Sequence, residues 1–244
     1  CEPTAPMKKA KWTFLVYGVS DNNLEAFMGY DLREMATAGF GTSEDVHMIV
    51  LADRGKTGPN SKSYDDSNWL NQAPFHTMKT FYVADGKITC LKDHGEGDMS
   101  KVDTFVNFTV STVKNFPAEK YGVVYWNHGI GWHGFGGDQT PGTTHAHRGT
   151  QHFEAYMDLP GLEKTLEDSL AKTGLPKFDL VGFDACSMAT TVVTNRIAKY
   201  ADVLVYSEDT EPGHGWDYSI FKDVVATPSL PAVEVAKKII GGFQ

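Results

Sequence analysis

The chain has little cysteine, no basic cluster and no long apolar run. Only three of its 244 residues are cysteines, namely Cys1, Cys90 and Cys186. An odd, scattered set of this kind excludes the paired framework of a small disulfide-built domain. Lysine and arginine total 22 against 31 acidic residues, for a formal net charge of −9. That balance, with no Lys/Arg cluster, argues against nucleic acid as a partner and fits neutral or cationic ones. No apolar stretch is long enough to cross a bilayer. No leader pattern is present, so any export signal is expected to have been removed or never to have existed. Internal repeats and low-complexity tracts are also missing.

What is present is ordinary globular composition, 41% hydrophobic and 22% charged, enough for one sizeable core. Five continuous apolar runs, at 14–17, 48–51, 123–126, 180–183 and 203–206, read as strands buried on both faces. Helical stripes lie between them. Leu24, Phe27, Met28, Leu32 and Met35 share one face, with Gly39 beyond the end. Val102, Phe105, Val106, Val113 and Phe116 form another, with Ser100 as the expected cap and Pro117 as the stop. Leu162, Leu166 and Leu170 form a third, opened by Pro160 and closed by Gly174. Met188, Val192 and Ile197 suggest a fourth helix starting directly after Cys186.

The alternation predicts an α/β fold, with a mostly parallel central sheet flanked by helices on both faces. An additional hairpin is expected within 75–92, around Asp85-Gly86. Segments 54–74 and 129–157 read as irregular. Residues 1–10 read as a tether and 11–244 as a single domain. A helix starting near Pro231 runs to the last residues, so more protein is expected to follow.

In open α/β sheets, ligands bind beyond the carboxyl ends of the strands. Asp21, Asp53, His128, Asp184, Cys186 and Glu208 fall there. A thiol, an imidazole and carboxylates on one sheet edge suit covalent catalysis by sulfur. Asp184, two residues before Cys186, faces the same side and either floors a pocket beside the nucleophile or caps the following helix.

Two motifs carry a family resemblance. His128-Gly129-Ile130-Gly131-Trp132, reached through Val123-Val124-Tyr125-Trp126-Asn127, resembles the histidine motif of the clostripain-like cysteine peptidases. Gly182-Phe183-Asp184-Ala185-Cys186-Ser187-Met188-Ala189 resembles their nucleophile motif. Segments 12–25 and 207–216 fit the same family. The resemblance implies a caspase-like fold, a Cys186/His128 dyad and endopeptidase activity after Arg or Lys. It implies an oxyanion hole at the Gly129 and Cys186 N–H groups, with the sulfur on the first turn of the next helix. Asp184 would read the basic side chain, with Glu208, Asp209 and Glu211 adding negative potential. Activation is expected by self-cleavage between Arg148 and Gly149. No organic cofactor is implied; the resemblance leaves calcium possible, since part of the family depends on it, but the chain holds no compact carboxylate loop that demands it, and no metal ligands are expected.

Peptides with Arg or Lys at the cut are the expected partners, and the chain reads as a monomer. A secreted, periplasmic or cell-surface bacterial location follows from the resemblance. Cys1 is either incidental or the lipidated first residue of a lipoprotein, with 2–6 as spacer. Cys90 reads as a small buried hydrophobe, and a Cys90–Cys186 disulfide, which would block catalysis, is not expected. Two other readings stand beside the peptidase. His133, His145, His147 and His152 crowd near His128, as in a metal-dependent hydrolase. A caspase-like module that binds peptides without cutting them is the third.

Overall fold

A computed structural model describes residues 1–2, 5–55, 65, 67–139 and 155–243. In chain order the elements are β1 (Ala10–Gly18), α1 (Glu25–Thr37), β2 (Val46–Ala52), β3 (Lys79–Ala84), β4 (Lys87–Asp93), α2 (Val102–Asn115), β5 (Ala118–Trp126), β6 (Gly134–Asp138) and β7 (Ala155–Asp158). There follow α3 (Leu159–Thr173), β8 (Phe178–Asp184), α4 (Thr191–Ile197), β9 (Ala201–Val205), α5 (Phe221–Ala226) and α6 (Ala232–Gly242). The main sheet has seven strands in the order β4-β3-β2-β1-β5-β8-β9. The five expected strands are its parallel part, β2, β1, β5, β8 and β9. β3 and β4 add an antiparallel hairpin at the β2 edge.

Continuous apolar strands arise because the sheet is covered twice. Along β1, Leu15 and Tyr17 enter one core with Phe105 of α2, Leu162 of α3 and Val193 of α4. Trp12, Phe14 and Val16 enter the other with Met28 of α1, Phe221 of α5 and Val235 of α6. Alternate side chains therefore point to opposite faces, and each face meets its own helices. The β3–β4 turn has positive φ at both Asp85 (54°) and Gly86 (72°), the twist that a two-residue hairpin needs. At α3 the Asp158 carboxylate accepts from the Gly161 N–H at 2.8 Å, and Gly174 closes the helix at φ 73°.

Three local expectations need correction. Ser100 does not cap α2: its N–H and hydroxyl both donate to Asp98 Oδ1, at 2.8 and 2.5 Å, and the helix starts two residues later. The helix after Cys186 starts only at Thr191, with Thr190 as its cap, so Met188 lies outside it. Part of the segment 129–157 is ordered as a short helical turn, Gly131–His133, and a two-stranded ribbon of β6 and β7.

Cys1 and Cys90 form a disulfide, 89 residues apart. A sulfur held in a disulfide carries no thioether, so Cys1 is not a lipid anchor in this state, and Cys90 is a bridge rather than a plain buried hydrophobe. Near it the Glu2 N–H donates to the Cys90 carbonyl at 3.0 Å, and the Met7 N–H donates to that of Asn115 at 2.8 Å. The expected tether is thus fastened to the body at these points. Cys186 is left as the free thiol. No helix among the described residues is long and apolar enough to cross a membrane.

Two outcomes follow from this pairing. Thiol titration of the folded, unreduced protein should find one reactive group. Selective reduction should lower stability by about 2–4 kcal/mol, because the closed loop is long. A count of three thiols before reduction overturns the pairing.

Candidate active site

β5 and β8 end side by side. Trp126 stands opposite Asp184 in the parallel ladder, and the Asn127 N–H extends it by donating to the Asp184 carbonyl at 3.2 Å. His128 and Cys186 each lie two residues past these strand ends, on one edge of the sheet. Both line a cavity of about 120 Å³, together with Leu24, Trp126, Asn127, Asp184, Glu211 and Gly213. The two loops touch backbone to backbone. A Cβ on Gly129 would stand 2.0 Å from the Cys186 carbonyl oxygen, so only glycine fits there.

Cys186 is not on a helix terminus, contrary to expectation. Ser187 has φ 56°, and the chain runs irregularly to Thr190. The sulfur's donor comes instead from the downstream loop, where the Glu211 N–H points at Sγ from 3.3 Å. That loop is fastened by the Ser187 N–H to the Asp209 carbonyl (2.9 Å) and the Ala189 N–H to that of Ser207 (2.8 Å).

Asp184 is almost fully buried, at 4% exposure. Its Oδ1 accepts from the Trp216 N–H at 3.2 Å and its Oδ2 from the Tyr218 hydroxyl at 2.9 Å. Those partners exclude the helix-capping alternative. Gly215, at φ 60°, packs so closely that a Cβ there would stand 2.4 Å from Asp184 Oδ1. Burial raises the Asp184 carboxyl to about 6, against the pull of the Tyr218 hydroxyl. Burial, then the Asp184 charge, raises Glu211 to about 9. The two carboxyls face one another and at neutral pH hold one proton and one negative charge between them. Glu211 Oε2 is buried with no hydrogen-bond partner among the described residues. Beneath the pair, Asp31 accepts from the Trp126 indole N–H at 2.6 Å, and burial pushes its carboxyl up as well.

Other expected residues are placed differently. Glu208 and Asp209 are exposed and do not line the cavity, and Asp209 acts through its backbone. Asp21 and Asp53 are fully buried beside β1 and β2, away from the cavity lining. His214 turns its Nδ1 to the Gly215 carbonyl at 3.1 Å. His133 stacks on the exposed Trp132. His145, His147, Arg148, Gly149 and His152 lie outside the described residues. Among the described residues, no three His, Cys, Asp or Glu side chains gather as a metal site would require. One contact had no signal in the sequence: His128 Nε2 and Asn23 Oδ1 are 2.8 Å apart, across 105 residues.

A family model described as the clostripain family matches residues 16–244. The chain belongs to the clostripain family. Clostripain of Hathewaya histolytica is 27% identical over 233 residues, covering 86% of this chain and 41% of that protein. Among solved structures, a secreted C11 cysteine protease from Bacteroides thetaiotaomicron, in complex with an irreversible peptide inhibitor, superposes with a TM-score of 0.71 at 24% identity. That match covers 95% of this chain and 58% of the other. An inactive zymogen C11 protease from Parabacteroides distasonis gives a TM-score of 0.62 at 18% identity, covering 97% and 60%. The caspase-like architecture is therefore shared. The chain spans roughly two fifths to three fifths of the length of these relatives.

The Gly129 contact is testable in isolation. Gly129→Ala should cost about 1–3 kcal/mol of stability, because backbone must move. Gly241→Ala, where a Cβ would meet nothing within 4 Å, should be neutral or slightly stabilising. Equal thermal midpoints for the two variants would count against the close approach.

Proposed function

We propose that the chain carries the peptidase unit of a cysteine endopeptidase that cuts after Arg or Lys, with Cys186 as nucleophile and His128 as base and acid. The observation that carries this reading is the small cavity shared by the Cys186 thiol, the His128 imidazole and the Asp184–Glu211 carboxyl pair. A free thiol is mostly protonated at neutral pH, so it needs a base at hand. His128 takes the thiol proton as sulfur attacks the peptide carbonyl carbon. The imidazolium then protonates the leaving amine, and a water activated by His128 releases the acyl group and restores the thiol.

The oxyanion would lie on the Gly129 and Cys186 N–H groups. Gly129 pairs with Phe135 in an isolated antiparallel bridge whose bonds are made by its neighbours. The Ile130 N–H donates to the Gly134 carbonyl at 3.1 Å, and the Gly136 N–H to that of His128 at 2.9 Å. That pattern leaves the Gly129 N–H outside the ladder. The carboxyl pair supports basic specificity, since a guanidinium or ammonium would meet both the Asp184 charge and the unpartnered Glu211 Oε2. Peptides and proteins with Arg or Lys before the cut are then the substrates, with no organic cofactor; calcium dependence, known in part of the family, is a possibility that the residues here do not demand. The unit acts as a monomer. The secreted relative supports a place outside the cytoplasm, in the medium or at the bacterial surface. Self-cleavage after Arg148 is part of the same proposal.

A fluorogenic panel with Arg, Lys, Asn or Asp before the scissile bond should show cleavage only after the basic residues, and Cys186→Ala should abolish it. Preference for Asn or Asp rejects the pocket, and an active Cys186→Ala variant rejects the nucleophile. Activation should create a new N-terminus at Gly149, read by sequencing; any other start rejects that bond.

The pair also sets a pH dependence. Asp184 has a higher pKa folded than unfolded, so its ionisation lowers stability as pH rises from about 4 to about 6. The cost is fully present above that window. Asp184→Asn should therefore hold or raise the thermal midpoint at pH 7, by about 2–4 °C per kcal/mol released. The same variant should lose binding of an arginine-like amidine inhibitor. In the parent protein that inhibitor should bind about 5-fold more weakly at pH 5 than at pH 6, since the ionised fraction of Asp184 falls by that factor. A falling midpoint with unchanged inhibitor binding would make Asp184 a structural residue.

A further inference from the structure

We propose that Asn23 is a positioning residue for His128, a role that deepens the peptidase reading and rests on it. The Asn23 side-chain oxygen accepts from His128 Nε2–H at 2.8 Å. A neutral imidazole carries one proton on either nitrogen, and an acceptor on Nε2 keeps it there. The lone pair is then at Nδ1, the nitrogen that takes the thiol proton. The proton cycle closes on that atom. The proton from sulfur goes to Nδ1, then to the leaving amine, and a proton from water returns through Nδ1 to sulfur. The Nε2 proton stays on the bond to Asn23 throughout.

The turn that presents Asn23 is held rigidly by its neighbours. Asn22 donates from Nδ2 to the Val19 and Gly137 carbonyls, at 3.0 and 2.6 Å, and accepts from the Leu24 N–H at 2.9 Å. Glu25, in the first turn of α1, is fully buried and bonded to Arg54 Nε at 2.8 Å. Leu24 lines the cavity beside His128 and Cys186. Asn23 itself is exposed, and the start of α1 is bonded by Asn22, so the Asn23 amide is not needed to build the helix. An exposed side chain on so fixed a turn, aimed at the base, fits orientation better than folding. The neutral amide also suits the chemistry. A carboxylate at this place would hold the imidazolium more tightly and slow its proton donation to the leaving amine.

The test compares Asn23→Ala and Asn23→Asp in the full chain. It reads thermal midpoint, kcat and KM on a basic peptide, and the pH profile of Cys186 alkylation by iodoacetamide. Asn23→Ala should lower kcat about 10–100-fold, with KM within about twofold and the midpoint unchanged. Asn23→Asp should recover part of kcat, move the acid limb of the kcat profile upward by about one pH unit, because the imidazole must be neutral to take the thiol proton, and displace the alkylation profile from that of Asn23→Ala. Unchanged kcat and an unmoved alkylation profile in Asn23→Ala overturn the proposal. So does a loss of kcat that tracks a falling midpoint in both variants. Alkylation needs no turnover, so the two readings fail separately. A shifted alkylation profile in a chain that cuts no peptide retains the positioning role and removes the peptidase. Normal peptide cleavage by both variants does the reverse.

Discussion

The register of β5 against β8 is the constraint on which the site depends. Trp126 is held opposite Asp184, and one residue of slip would move one loop by about 3.3 Å and turn its side chains to the other face. Aromatic packing fixes that register. Tyr125 stacks on its cross-strand partner Phe183, with ring centroids 5.0 Å apart, and Phe105 of α2 covers Tyr125 from another side at 4.8 Å. Such pairs contribute about 0.5–1.5 kcal/mol beyond their buried area. Asn127 then ties the end of β5 to both neighbours, bonding its N–H to Asp184 and its side-chain amide to the Val19 carbonyl. The thiol and imidazole are consequences of this alignment, each two residues further on.

Two buried charge systems behave differently in this frame. Arg54 and Glu25 are both fully buried and bonded directly, and Arg54 also reaches the carbonyls of Asp65 and Ser67 and lies over the Trp69 ring. That system fixes the turn into α1 and the loop before β3. The Asp184–Glu211 pair is less complete, with two carboxyls in contact and one oxygen without a partner among the described residues. Burying like groups this way costs stability, and a basic ligand would relieve it. The loop bearing Glu211 also aims its N–H at the Cys186 sulfur, so one residue joins the buried carboxyl pair to the thiol.

Much of the frame was legible in the chain. The five parallel strands could be read because burial on both faces makes their runs continuous, and Asp85-Gly86 marked the hairpin because few residues accept positive φ twice in succession. α3 was readable from Pro160 and Gly174, which act on their own turns of helix. The ribbon of β6 and β7 was not, since Gly134-Phe135-Gly136-Gly137 lacks the side chains that make a strand pattern. Ser100 looked like a cap but bonds to Asp98, because two suitable residues stood within one turn of the same helix start. The helix expected at Cys186 failed for a tertiary reason: Ser187 and Ala189 give their N–H groups to the downstream loop.

The sequence by itself determined which segments are strands and helices, and that a histidine, a cysteine and an aspartate stand where two strands end. Those features depend on residues within a few positions of one another, so local periodicity carries them. Only the tertiary structure decided which groups meet. Glu211 reaches the sulfur across 25 residues, Cys1 reaches Cys90 across 89 and Asn23 reaches His128 across 105. Each of these contacts depends on strand order and on how loops pack over the sheet edge, and no short stretch of chain encodes either.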